Sequence, residues 1–122
     1  MAETITINGK EYKVFTVATA LGTEYKVICT RETYRNDGSL AIRVWDIDEN
    51  GKLEPFGTLT VNLTHRLQNE TRAFVKNYSE NASWAESLCK QLGAKNTGIA
   101  CNTGYVTLHL YDFTGVELNE IA

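Results

Sequence analysis

The sequence is poor in the residues that most often do chemistry. It has two histidines, His65 and His109, and three cysteines, Cys29, Cys89 and Cys101, with no C-x-x-C pair. An odd number of cysteines at wide spacings argues against a disulfide framework and points to a reducing, cytoplasmic setting. A zinc site would have to draw ligands from four separate elements, and no short paired spacing favours that. Cys101 and His109 share strand parity, but extended chain at ~3.3 Å per residue separates them by over ~20 Å. Buried structural cysteines are therefore expected. The segment "TGIACNTG" lacks the lysine of a phosphate-binding loop. Catalytic, metal and cofactor-binding residues are accordingly assigned to none of the positions, and an enzyme is not expected.

Long apolar runs are also missing. No stretch approaches the ~20 residues of a membrane helix, so no membrane partner is expected. The opening "MAETITINGKEY" has neither a basic n-region nor an apolar core, so no secretory signal is expected. Charge of one sign is missing too. Twelve Lys and Arg oppose fifteen Asp and Glu, for a net charge of -3. That balance disfavours broad binding to a phosphate backbone, and it is too mild for a mimic of DNA. What remains is an ordinary globular composition, 43% hydrophobic and 22% charged, in a chain of one-domain length.

The apolar residues that are present alternate. "TITINGKEYKVFTV" reads as a hairpin, with Asn8-Gly9 supplying the positive-φ pair of a two-residue turn and Tyr12, Val14 and Thr16 on one face of the return strand. "TEYKVICTRETYR" places Tyr25, Val27 and Cys29 on one face. "LAIRVWDI" sets Leu40, Ile42 and Val44 against Arg43 and Trp45. In "PFGTLTVNL", begun by the only proline, Pro55, residues Leu59, Val61 and Leu63 alternate with threonines and asparagine. Residues 64–82 read as polar and irregular, apart from "AFV" at 73–75. A helix follows in "NASWAESLCKQLG", where Trp84, Leu88 and Leu92 share a face. Ser83 and Glu86 form a candidate capping box, and Gly93 stands at the C-terminal cap. A loop containing Gly98 and Gly104 then leads to a final strand, "YVTLHLYDF", apolar on both faces. The expected fold is α+β: an antiparallel β-meander sheet with one main α-helix packed on it, a single domain over 1–122.

The stretch "DIDENGKLEPFG", residues 46–57, imitates half of a calcium loop. Asp46, Asp48, Asn50 and Gly51 fit EF-hand positions 1, 3, 5 and 6, but position 12 is Gly57 where a bidentate Glu is needed. Both flanks alternate at period two, as strands do. The expectation is a β-hairpin loop whose Asp and Asn side chains bond their own backbone. The carboxylate pairs Asp46 with Asp48 and Glu117 with Glu120 fall in a turn and near a terminus, where solvated surface is the default.

The aromatics are more informative. Tyr12, Tyr25, Tyr34, Trp45, Tyr78, Tyr105 and Tyr111 exceed what one small core requires. Arg43, Trp45, Tyr34 and Arg35 are the candidate partner-binding residues, because Trp, Tyr and Arg are enriched among binding hot spots. A sheet covered on both faces would bury the same aromatics. The leading expectation is a non-enzymatic protein that docks on a host protein. The alternative is a single-stranded nucleic-acid-binding accessory that stacks bases on Tyr and Trp beside Arg35, Arg43 and Arg66.

The segments "TITINGKEY", "PFGTLTVNL", "AFV", "WAESL", "LGAKNTG" and "GYVTLHLYDF" together resemble a family of small uncharacterised proteins carried by phages, plasmids and conjugative elements of gut Firmicutes. The resemblance covers the first dozen residues and most of 55–113, and is weakest over 15–38. Lys76-Asn77-Tyr78 stands where relatives carry an Asp-Thr-Asn stretch, and Leu108-His109 where Pro-Leu is usual. The resemblance implies a fold and a genetic setting and transfers no functional residue. By association, that setting suggests a host defence nuclease as the docking partner, in an anti-CRISPR or anti-restriction role.

Overall fold

The computed structural model describes residues 3–63 and 67–118. Among these residues it contains nine strands and one α-helix of eight residues. The fold is mainly β, with two antiparallel sheets, and this corrects the α+β expectation. The helix is present but short, and two strands, Arg72–Val75 and Lys95–Thr103, lie in stretches without period-two patterning.

The first sheet is a meander in the order β1-β2-β3-β4-β5, built from Glu3–Ile7, Lys10–Ala18, Glu24–Thr33, Leu40–Ile47 and Leu53–Thr58. Its opening hairpin forms as the sequence dictates. Asn8 and Gly9 take φ of 50° and 82°, the mirror-image turn that matches strand twist. The return strand departs from the simple alternation. Tyr12 is buried and Val14 half-buried, but Thr16 is exposed while Phe15 and Val17 turn inward. The change of face falls where β2 stops pairing with β1, at Val14, and begins pairing with β3, at Phe15.

The second sheet has the order β6-β7-β9-β8, from Thr60–Val61, Arg72–Val75, Val106–Asp112 and Lys95–Thr103. Leu59 joins the two sheets: its N–H donates to Ile42 O at 2.9 Å on β4, and its C=O accepts from Lys76 N–H at 2.8 Å, just past β7. β7 coincides with "AFV", the apolar patch within the otherwise irregular stretch 64–82, for which no strand was expected. Its side chains serve two cores, Ala73 and Val75 the larger and Phe74 the smaller. A strand buried on both faces reads as an unbroken apolar run, so it carries no alternation to detect. The glycine and small polar residues of β8 give it the sequence character of a loop. It pairs with β9 around an irregularity between Asn96 and Ala100, where Gly98 has φ +84°.

The larger core lies between the first sheet and helix α1, Ala85–Leu92. Trp84 occupies the N-cap position with no side-chain cap, so the Ser83–Glu86 capping box does not form. The C-terminal cap does form: Gly93 N–H donates to Lys90 O and Ala94 N–H to Cys89 O, a left-handed cap with Gly93 at φ 82°. Trp84 packs against the sheet at a bulge, where the register of β5 skips Phe56. The bulge turns Phe56 towards the helix, with its ring 5.2 Å from both Tyr25 and Trp84. Gly57 beside it leaves room for the indole: a Cβ there would stand 3.3 Å from Trp84 Cζ2, tight enough to push the ring by a few tenths of an ångström.

Candidate functional site

Arg43 and Trp45 point away from the helix, on the outer face of the first sheet. The β3–β4 register places Trp45 opposite Ile28 and Arg43 opposite Thr30. Ile28 and Thr30 are fully buried although they face outward, and the half-buried Trp45 beside them is anchored there: its Nε1–H donates to Thr30 Oγ1 at 2.8 Å. The Arg43 guanidinium lies over the indole, 4.8 Å from its centroid, and Arg43 Nε stands 3.4 Å from Glu32 Oε2. The ion pair is half-exposed and adds little stability by itself. Its effect is geometric: Thr30 anchors the edge of the indole, and Glu32 stands beside the cation that lies over the ring. Sequence alternation found Arg43 and Trp45 but missed Thr30 and Glu32, which only the inter-strand register brings to them.

The other two candidates do not join this patch. Tyr34 lies beyond the end of β3, where its hydroxyl shares a hydrogen bond with Thr60 Oγ1 at 3.0 Å; Thr60 Oγ1 also accepts the Ile42 N–H. Burial pushes the Tyr34 phenol above its ordinary pKa; the Thr60 contact opposes the rise and the charge of Asp37 adds to it. Tyr34 is thus a strut between the sheets. Arg35 is exposed in the turn that follows, and Arg66 and His65 lie outside the described residues. Two large apolar side chains stand almost fully exposed at hairpin tips, Leu21 between β2 and β3 and Tyr105 between β8 and β9. Leu21 was missed; its only sequence signal is a leucine inside a Gly-containing turn.

The remaining sequence candidates fall into structural roles. In the loop between β4 and β5, Asp48 Oδ1 accepts the N–H groups of Asn50 and Lys52, as expected of a self-bonded turn. Asp46 and Asp48 line an open cleft of about 430 Å³, along with Glu24 and Glu49. Glu117 is exposed and ion-paired to Lys13 at 3.3 Å, while Glu120 lies outside the described residues. Among the described residues, no three His, Cys, Asp or Glu side chains gather as a metal site would require. Nor is any helix long and apolar enough to cross a membrane. Cys29 and Cys89 are buried in the larger core, and burial pushes both thiols up, Cys89 to about 12. A thiol-titrating disulfide reagent is therefore expected to label Cys101 alone in the native protein and all three after denaturation. Fast labelling of two or three native thiols would contradict this packing.

A family model described as a domain of unknown function, DUF4313, matches residues 29–122. The chain belongs to the DUF4313 family. The match begins within β3, so the first hairpin, where part of the resemblance was read, precedes the matched range. The Thr30–Glu32–Arg43–Trp45 patch lies inside it. No curated protein and no solved structure matches the chain.

Proposed function

We propose that this DUF4313 protein is a non-catalytic docking protein of a phage or other mobile element. It acts in the host cytoplasm by binding a host protein of the defence-nuclease class. The observation that carries the docking reading is the fixed Arg43–Trp45 pair on the outer sheet face. An aromatic and a guanidinium already held in place lose little side-chain entropy on binding, and such groups recur as hot spots. The mobile-element setting and the choice of a defence protein rest on the resemblance of the sequence to proteins of such elements.

The test is affinity capture of host proteins by the tagged chain, with and without nuclease, followed by binding measurements on the purified partner. The expected result is a partner retained after nuclease and bound roughly thirtyfold more weakly by Trp45→Ala, with a smaller loss for Arg43→Ala. Expression of the chain is expected to change the outcome of phage or plasmid challenge, and Trp45→Ala to abolish that change. A partner lost on nuclease treatment would replace this reading with the single-stranded nucleic-acid one. Undiminished binding by both variants would remove the outer face from the account.

A further inference from the structure

We propose that the free edge of β1 pairs with the β1 edge of a second copy, joining two meander sheets across a twofold axis. Four strands lie at sheet edges among the described residues: β1 and β5 in the first sheet, β6 and β8 in the second. Three of them are broken in ways that discourage strand addition. β5 contains Pro55 and the bulge at Phe56, β6 has two residues, and β8 carries the Gly98 irregularity. β1 has none of these devices. Its five residues, Glu-Thr-Ile-Thr-Ile, keep unbroken register with β2, and the four after Glu3 alternate two β-branched residue types.

The hydrogen-bond pattern shows which groups are offered. Ile7 and Lys10 flank a two-residue turn, so the hydrogen-bonded pairs with β2 fall at Ile7, Ile5 and Glu3. The N–H and C=O groups of Thr4 and Thr6 therefore point outward from the sheet. Both residues are exposed. An antiparallel pairing centred on Ile5 sets Thr4 of one copy against Thr6 of the other, twice, for four backbone hydrogen bonds. Ile5 then meets its own counterpart in a non-hydrogen-bonded pair, where side chains approach most closely. Each threonine faces a threonine and each central isoleucine an isoleucine. This self-complementarity selects a second copy over a foreign strand. So short an interface buries far less than the ~1,200 Å² of a stable complex, which makes the pairing weak and dependent on concentration.

Sedimentation velocity from micromolar to millimolar chain is expected to show a reversible monomer–dimer equilibrium. Thr6→Pro removes an outward N–H while leaving the bonds to β2 intact, a position where an edge strand tolerates proline. It deletes two hydrogen bonds per dimer and is expected to raise the dissociation constant roughly thirtyfold, with an unchanged circular dichroism spectrum. In a Cys101→Ser background, Ile5→Cys is expected to form a covalent dimer on oxidation, and Thr4→Cys is not. A monomer at every concentration would overturn the proposal. So would a dimer indifferent to Thr6→Pro, or equal cross-linking by the two cysteine variants. Association that occurs only with another protein's strand would overturn it as well.

Discussion

Trp84→Ala is expected to cost about 4 kcal/mol, a large share of the stability of a domain this size. The indole is 2% exposed, packs at 5.2 Å against the Phe56 ring, and donates its Nε1–H to Glu80 O at 3.0 Å. Its other flank rests on Gly57, which has no side chain to move into the space. Truncation therefore leaves a cavity that the neighbours cannot close, beneath the first turn of the helix that covers the sheet. Urea denaturation measures the loss; a cost below ~1.5 kcal/mol would mean that the helix is seated by other contacts.

Phe74→Ala is expected to cost a similar amount, about 4 kcal/mol, from the other core. Phe74 is fully buried and packs with Leu108 and Leu110, apart from the helix. Both tryptophans belong to the other side of the molecule, so indole fluorescence reports the first sheet while far-ultraviolet dichroism reports all strands. Because Leu59 is bonded to both sheets and β7 feeds both cores, the two signals are expected to shift together in Phe74→Ala. A fluorescence midpoint left in place while the dichroism midpoint falls would show that the sheets unfold separately.

Much of the architecture was legible where a local rule suffices. Asn8-Gly9 fixes the first hairpin, Asp48 folds its own loop, and Gly93 ends the helix, each through atoms a few residues apart. The unread parts depend on distant partners. Arg72–Val75 becomes a strand because residues from both sides of the molecule bury it, and no period in four residues can announce that. Gly98 and its polar neighbours become a strand because β9 lies beside them. Ser83 has the chemistry of a cap, yet Trp84 takes the cap position so that its ring can reach Phe56 and Gly57. The candidate site divides in the same way. Alternation put Arg43 and Trp45 outward, whereas Thr30 and Glu32 enter through the register of the adjacent strand. Tyr34, chosen as an aromatic near an arginine, is drawn to Thr60, a contact between the sheets that a single strand does not encode.

The order of the first sheet has a consequence for the chain as it emerges from the ribosome. Its five strands are neighbours in sequence, so each can pair with one already synthesised, and the sheet is complete once Thr58 is free. The side chains that cover it, Trp84, Leu88 and Phe113, are translated later. For that interval the nascent chain displays Val27, Ile42 and Val44 to solvent on a finished sheet, a surface of the kind that chaperones hold.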